Sequence, residues 1–242
     1  MKQIIIFLAF TIFTGTITAQ NDSDGPGIWN VLLTKYVSDD GLVYYTGLTH
    51  EKPQLVKYLD FLSNNTPEDN WPVNKKKAYW INVYNAFTIS LILDNYPLKS
   101  ITGIKENGKS AWDIKFIHIG ETKYSLNDIE NNILRKEFND PRIHFAINCG
   151  SYSCPKLHNR SITANNLEII LDRLAKEFIK DKNKNVIHQS KIKISRVFEW
   201  YKGDFTKNGS LIDFLNKYSD IHIDENAKVE FMEYNWSLNK QK

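Results

Sequence analysis

The sequence predicts a single α+β domain, in which a buried central helix packs on a small mixed or antiparallel sheet. Helical and strand-like patterns are interspersed along the chain, without the regular strand–helix–strand alternation of a parallel α/β fold. No repeat, low-complexity tract or Pro/Gly-rich linker follows residue 27. With 42% hydrophobic residues, the chain has the composition of a globular protein. Residues 40–239 are therefore predicted to form one globular domain with a sizeable core.

The N-terminal residues have the pattern of a secretory signal peptide. Lys2 precedes an apolar run over residues 4–13, and small residues follow up to Ala19. The run is too short to span a bilayer comfortably. We therefore expect a signal peptide at residues 1–19, export to the periplasm or secretion, and no membrane span after cleavage. The net charge of +3 is too small to indicate a nucleic-acid partner.

Residues 20–39 are predicted to form a flexible start followed by a first helix. The polar, Gly- and Pro-containing residues 21–27 favour the flexible start, and a helical pattern follows. Pro53 marks the first turn of a second helix. The next helix, over residues 78–93, is apolar on nearly every face, which is typical of a helix in the centre of a domain.

Two asparagines interrupt the apolar surface of this central helix. Asn82 and Asn85 are three residues apart and therefore lie on one face. A buried amide that lacks hydrogen-bond partners costs about 1–3 kcal/mol. We expect both side chains to bind backbone groups, water or a functional site.

A carboxylate interrupts the apolar face of the following helix. Ser125 is predicted to cap this helix, with Asp128 three residues further on as the reciprocal partner. Glu130 then lies inside the apolar face, where a carboxylate must be paired, hydrogen-bonded or protonated. Arg142 and His144 are the predicted partners because they are the nearest candidates along the chain.

Residues 140–155 contain both cysteines and form the best candidate site. Ile143, Phe145 and Ile147 alternate with more polar residues, which predicts a β-strand. Cys149 stands where this strand gives way to a loop of small residues. Rigid strands that end in exposed loops commonly position reactive groups.

The remainder of the chain is predicted to alternate between helices and short strands. Thr163 is expected to cap a long helix, and residues 185–195 have the alternation of a hairpin. Short helices are predicted at residues 197–205 and 210–218, and a last strand at residues 229–236.

One interpretation of the candidate site is nucleophilic catalysis. Cys149 would act as a thiolate activated by a histidine, and amide groups of Asn82, Asn85 or the loop after the cysteine would bind an oxyanion. His144 and Cys149 are five positions apart, so a straight strand would point them to opposite faces. A bend at Cys149, or another histidine, would then be required.

Two other interpretations use the same cysteines. Cys149 and Cys154 could form a disulfide in an exported protein, which for so short a loop contributes about 2 kcal/mol, and this pair could also be redox-active. Alternatively, both cysteines with His144 and His158 could bind zinc, although their spacings match no zinc knuckle. A buried cysteine without a chemical role is the fourth possibility.

Several motifs follow one another in the order in which a known family carries them. They are Tyr79-Trp80-Ile81-Asn82-Val83-Tyr84-Asn85-Ala86, Trp112-Asp113, Asp128-Ile129-Glu130, Asp140-Pro141-Arg142-Ile143-His144-Phe145-Ala146, Cys149, Ser151, Cys154-Pro155, Phe198-Glu199-Trp200-Tyr201 with Asp204-Phe205, and Asn235-Trp236-Ser237-Leu238-Asn239. With these motifs the chain resembles domain-of-unknown-function family 547 over residues 40–239. The resemblance implies an uncharacterised protein of a kind found among exported bacterial proteins.

The chain departs from the family pattern at one position. After the Ile-Glu pair the family usually has a histidine, and this chain has Asn131. If that histidine were the general base, this protein would be impaired. If Glu130 is the functional residue, the departure costs nothing.

We therefore predict a cysteine-centred hydrolase or acyl transferase, in which a thiol nucleophile acts with a histidine as base or orienting group. The candidate site residues are Cys149, His144, Glu130, Asn82, Asn85 and Arg142. The alternative is a non-catalytic exported binding domain with a Cys149–Cys154 disulfide. In either case the ligand would be a small molecule or a peptide, and neither a cofactor nor a metal is predicted.

Overall fold

The computed structural model describes residues 25–241, and it confirms the predicted α+β fold class. Helices surround a buried central helix, and the strands form three small sheets. The predicted signal peptide at residues 1–19 lies outside the described residues, as do the first residues of the predicted flexible segment. Within residues 25–241, no helix is both long and apolar enough to cross a membrane.

Helices account for most of the regular structure. The α-helices are α1 (Gly25–Tyr36), α2 (Tyr45–Thr49), α3 (Lys52–Asn64), α4 (Val73–Asp94), α5 (Arg135–Phe138), α6 (Leu167–Lys180), α7 (Val197–Trp200), α8 (Lys202–Phe205) and α9 (Leu211–Asn216). A π-helical segment (Asp128–Leu134) leads into α5, and 3-10 helices occur at Ile101–Gly103 and Pro141–Phe145.

The strands pair locally. They are β1 (Lys105–Glu106), β2 (Lys109–Ser110), β3 (Ile117–Ile119), β4 (Thr122–Tyr124), β5 (Val186–Ile187), β6 (Lys191–Ile194) and β7 (Lys228–Phe231). β1–β2 and β3–β4 are antiparallel hairpins. In the third sheet β5 and β6 are antiparallel and β7 pairs in parallel with β6. The sheet is therefore small and mixed, and the predicted hairpin at residues 185–195 is confirmed.

Helix α4 is the buried centre of the domain, as its apolar surface predicts. From Lys77 to Leu93 every residue except Ser90 is buried. The helix packs against α2, α3 and the π-helical segment, and Trp80 meets Tyr124 of β4 edge to face at 5.5 Å. It begins at Val73, directly after Pro72 and five residues earlier than predicted. The buried ammonium of Lys77 in this first part is neutralised by an ion pair with Asp140 at 2.8 Å.

The predicted strand around His144 is wrong, because residues 141–145 form a 3-10 helix. The Asp140 carboxylate accepts a hydrogen bond from the N–H of Arg142, and Pro141 occupies the first turn. Residues 143–148 are buried without interruption. The alternation of apolar and polar residues therefore does not correspond to an inner and an outer face.

Of the two helix caps predicted from the sequence, one is confirmed and the other is wrong. The predicted reciprocal cap is confirmed, because Ser125 Oγ accepts from the N–H of Asp128 and Asp128 Oδ2 accepts from the N–H of Ser125, each at 3.0 Å. Thr163 does not cap α6, which begins only at Leu167. The turn between them is closed instead by Asn166 Oδ1, which accepts from the N–H of Thr163 at 2.7 Å.

Two further boundaries differ from the prediction. α1 begins at Gly25, inside the segment predicted to be flexible. The last strand spans Lys228–Phe231 rather than residues 229–236. The bounds of the globular domain itself stay a prediction.

The two asparagines of α4 bind protein backbone. Asn85 Nδ2 donates to the carbonyl of Ala146 at 2.9 Å, and its Oδ1 accepts from the N–H of Asn148 at 2.8 Å. Asn82 Nδ2 donates to the carbonyl of Ile162 at 2.7 Å. Because these amides are occupied by backbone groups, they fix neighbouring segments to the central helix.

We predict that Asn85→Ala lowers the free energy of unfolding by about 2–4 kcal/mol, because it leaves two buried backbone groups without partners. Urea denaturation measures this loss. The matched control is Asn64→Ala, since exposed Asn64 bonds only to Asp60 of its own helix. The control should change stability by less than about 0.5 kcal/mol. Equal losses in the two variants would contradict the assignment.

Candidate functional site

A cavity of about 280 Å³ lies where α4, the π-helical segment, the cysteine loop and the C-terminal segment meet, and we call it the thiol cavity. Six aromatic side chains line it: Tyr84, Trp112, Trp200, Tyr201, Tyr234 and Trp236. The reactive or ionisable side chains in its wall are Glu130, His144, Cys149 and Cys154. Its volume lies just below the range of typical ligand pockets, which begins at about 300 Å³.

Cys149 is half-buried, and its sulfur is surrounded by hydrogen-bonding groups. Cys149 Sγ lies 3.1 Å from Ser151 Oγ and 3.4 Å from the hydroxyl of Tyr234. Hydrogen bonding with the neighbouring Cys154 thiol, and then with Ser151 and Tyr234, outweighs burial and lowers the pKa of Cys149 to about 7. A thiol with this pKa carries a substantial thiolate fraction at neutral pH.

Cys154 has the opposite character, because it is buried and its pKa is raised by burial and by the adjacent Cys149. Both cysteines are free, so the predicted Cys149–Cys154 disulfide is absent from the structure. Instead, Cys154 Sγ accepts a hydrogen bond from the N–H of Cys149 at 3.0 Å. The Cys149 sulfur meanwhile faces the hydroxyls of Ser151 and Tyr234.

His144 is buried in the wall of the thiol cavity, but it is not hydrogen-bonded to Cys149. Its Nε2 lies 2.8 Å from Asp204 Oδ2, and its ring stacks on Tyr201 with the centroids 4.0 Å apart. Nδ1 is buried and has no partner among the described residues. The direct contact with Cys149 that a bent strand would have given is absent, because the 3-10 helix turns the ring towards Asp204.

Asp204 orients His144, and it is not among the site residues predicted from the sequence. Burial opposes ionisation of Asp204, but hydrogen bonds from His144 and Arg135 hold the pKa of this carboxyl well below its usual range. The Arg135 bond is 2.6 Å long. Since the ionised carboxylate accepts the proton of Nε2–H, the lone pair of the neutral imidazole lies on Nδ1. The sequence feature that could have identified Asp204 as a site residue is its position in the motif at residues 198–205 that carries the family resemblance.

Glu130 is buried as predicted, but its partners are tyrosines. The hydroxyl of Tyr84 donates to Glu130 Oε2 at 3.1 Å. Burial, and then the charge of Glu130, raise the pKa of the adjacent Tyr201. The predicted pairing of Glu130 with Arg142 or His144 is wrong, because both partners bind other carboxylates.

Asn131, at the position where the resemblance implies a histidine, lies outside the lining of the thiol cavity. Its Oδ1 accepts from Arg135 Nη1 at 2.7 Å. The side chain therefore supports the arginine that holds Asp204.

Arg142 belongs to a separate group of ion pairs. It contacts Asp140 at 2.8 Å, Glu168 at 2.7 Å and Asp172 at 2.8 Å. These carboxylates place Arg142 away from the thiol cavity. Of the six predicted site residues, the structure thus brings Cys149, His144 and Glu130 together, whereas Asn82, Asn85 and Arg142 lie elsewhere.

The backbone N–H of Gly150, in the loop after Cys149, is not available as the predicted oxyanion donor. The N–H of Gly150 donates to Asn148 Oδ1 at 2.8 Å. Gly150 has a φ of +75°, and a Cβ added there would lie 2.4 Å from Cδ1 of Ile92. Glycine is therefore required here by backbone conformation and by packing against α4.

The four residues of the zinc interpretation do not converge. His158 Nε2 lies 3.2 Å from Arg173 Nη2, and burial lowers the pKa of His158 to about 4. Throughout the part of the chain that the structure describes, no three His, Cys, Asp or Glu side chains are arranged to hold a metal ion.

Aromatic rings form a continuous wall at one side of the thiol cavity. Tyr234 and Trp236 have ring centroids 4.5 Å apart, and Trp200 lies 4.8 Å from Tyr234. Trp112 meets Trp236 edge to face at 5.6 Å. Trp200 is 44% exposed, so this wall reaches the protein surface.

The fold and the cavity define an α+β protein with a pocket that combines a thiol, a histidine–aspartate pair and an aromatic wall. Residues 68–179 match the model of the family described as "Protein of unknown function, DUF547". This match supports, over that segment, the resemblance seen in the motifs of the chain. Neither the curated proteins nor the solved structures compared with the chain give a match.

We predict that iodoacetamide alkylates Cys149 with an apparent pKa below that of a free cysteine, about 8.5, because the thiolate is the reactive form. The alkylation rate should therefore already be near its maximum at pH 8. Tyr234→Phe should raise the apparent pKa, since it removes a donor to the sulfur. The rate is measured against pH, with the modified residue located by peptide mass spectrometry.

The matched control for this substitution is Tyr152→Phe in the same loop, because Tyr152 is exposed. It should leave the pH profile unchanged. An apparent pKa of 8.5 or higher in the unsubstituted protein would contradict the stabilised thiolate.

Proposed function

We propose that the thiol cavity is the active site of a cysteine-dependent hydrolase or acyl transferase. One observation supports this proposal above the others. His144 is fixed through Nε2 by ionised Asp204 and keeps an unpartnered Nδ1, in the wall of a cavity that also holds the thiol of lowered pKa. A nucleophile, a base and a group that orients the base are the recurring components of acyl transfer.

The reaction would proceed in two displacement steps. The Cys149 proton passes to His144, and the thiolate attacks the carbonyl carbon of an ester, thioester or amide. The bond between that carbon and the leaving group breaks, the imidazolium protonates the leaving group, and a thioester to Sγ remains. Water or a second nucleophile then gives a proton to His144 and attacks the thioester carbon. The bond from that carbon to Sγ breaks, the acyl group leaves on the second nucleophile, and the imidazolium returns its proton to Sγ.

Asp204 would hold the imidazole in the required tautomer and stabilise the imidazolium. Because no hydrogen bond joins His144 to Cys149, a water molecule or a substrate group between them would carry the proton. The stacked ring of Tyr201 would restrict the imidazole to this orientation.

Tyr234 would supply the hydrogen-bond donor that was predicted at Asn82 and Asn85. Ser151 Oγ donates to the Tyr234 hydroxyl at 2.8 Å, which leaves the phenolic proton free to point towards Cys149 Sγ. A fixed donor beside the reacting sulfur stabilises charge that develops there and on the attacked carbonyl.

We also propose that the protein is exported, because residues 1–19 have the pattern of a signal peptide. Export favours a second candidate function, a non-catalytic binding domain whose cysteines pair in an oxidising compartment. The adjacency of Cys149 and Cys154 supports this alternative. Mass spectrometry of protein purified without reductant distinguishes the two: a Cys149 that alkylates without prior reduction favours the enzyme.

We predict that p-nitrophenyl acetate acetylates Cys149 and releases nitrophenolate in a burst. Cys149→Ala should abolish the adduct, while His144→Ala and Asp204→Asn should slow its formation by about 100-fold or more, as expected for loss of general base catalysis. Intact-mass and peptide-mass spectrometry locate the acetyl group.

Cys154→Ala is the matched thiol control and should still be acetylated at Cys149. The melting temperature of Cys149→Ala should stay close to that of the unsubstituted protein. Acetylation that persists in Cys149→Ala, or that never reaches Cys149, would refute the proposed reaction.

A further inference from the structure

We infer that the thiol cavity selects ligands with an ammonium head group, either a quaternary ammonium or a protonated amine. That such a ligand is the substrate rests on the proposed acyl-transfer function. That such a ligand binds depends only on the charged groups and aromatic rings of the cavity.

Glu130 is a buried carboxyl group in the wall of the thiol cavity. This carboxylate is only 5% exposed, it accepts from the neutral hydroxyl of Tyr84, and no cationic nitrogen of the described residues lies within 4 Å of it. A buried carboxylate without a cationic partner is costly. A cationic group bound in the cavity would supply the missing partner.

The described residues that line the thiol cavity include no cation that would compete with a ligand. The chain carries 31 lysine and arginine residues, yet none of the described ones lines the thiol cavity. Arg135 lies over the ring of Tyr201 at 5.1 Å, but its guanidinium is committed to Asp204 at 2.6 Å. Glu130 is therefore a carboxylate of the cavity wall that no lining cation neutralises.

The aromatic wall consists of closely spaced rings. Trp200, Tyr234 and Trp236 have neighbouring ring centroids 4.5–5.7 Å apart, and Trp112 continues the row. The faces of such rings attract cations, and cages of aromatic rings are the characteristic sites for quaternary ammonium groups. A cavity lined by such rings and by a buried carboxylate therefore matches an ammonium head group better than a neutral polar one.

Tyr234 connects this recognition to the chemistry. Its hydroxyl lies 3.4 Å from Cys149 Sγ, while its ring packs on Trp200 and Trp236. A head group against the rings would thus place an acyl group of the same molecule beside the sulfur. A ligand that enters with a free carboxylate would instead meet Glu130 and the thiolate, so anionic substrates are disfavoured.

The experiment is isothermal titration of choline into the full-length protein carrying Cys149→Ser, which separates binding from reaction. The comparison ligand is 3,3-dimethylbutan-1-ol, which has the same shape with carbon in place of the charged nitrogen. We expect choline to bind about tenfold more tightly than this neutral analogue. Glu130→Gln should remove most of that preference, and the matched control Glu225→Gln, at an exposed site, should retain it.

Trp200→Leu provides a second variant, because Trp200 is partly exposed and its replacement leaves the core intact. It should also reduce the preference for choline. Equal affinities for the two ligands, no detectable choline binding, or a preference that survives both substitutions would overturn the inference. If choline binds but p-nitrophenyl acetate does not acetylate Cys149, the proposed reaction is refuted. The inference that the cavity selects an ammonium head group is then not contradicted.

Discussion

Buried amide hydrogen bonds hold the cysteine loop in place, and the rest of the site depends on them. Asn148 is the centre of this network: its N–H donates to Asn85 of α4, its Nδ2 donates to the carbonyl of Pro155, and its Oδ1 accepts from Gly150 and Asn239. One side chain thus ties the central helix, both ends of the loop and the C-terminal segment together. Buried polar networks of this kind rigidify a structure when every member is satisfied.

Much of the fold could be predicted from local patterns. The apolar helix α4, the reciprocal cap at Ser125 and the hairpin at residues 185–195 follow from periodicity and cap chemistry, which act over a few residues. The strand predicted around His144 failed because that segment is buried on all sides, so its alternation carried no information about faces. The prediction that Thr163 caps α6 was wrong because Asn166 Oδ1 accepts from the N–H of Thr163 and closes the turn that precedes the helix.

The candidate site could be predicted only in part, since its partners come from distant segments. Cys149, His144 and Glu130 attract attention as polar groups in apolar surroundings, and all three line the thiol cavity. Their partners do not follow from local patterns: Asp204 is 60 residues from His144, and Tyr234 is 85 residues from Cys149. From the sequence, the side-chain amides of Asn82 and Asn85 could serve as hydrogen-bond donors to a ligand. In the folded protein they donate to backbone carbonyls instead.

The thiol cavity is built from two parts of the chain. Cys149, His144 and Glu130 lie within residues 68–179, which match the family model, whereas Asp204 and the rings from residue 200 onwards lie beyond it. Because the Tyr234 hydroxyl lies 3.4 Å from Cys149 Sγ and Asp204 holds His144, the C-terminal segment shapes the surroundings of the thiol as well as the aromatic wall. A fragment limited to residues 68–179 would therefore keep the thiol but lack both the partner of His144 and most of the aromatic wall.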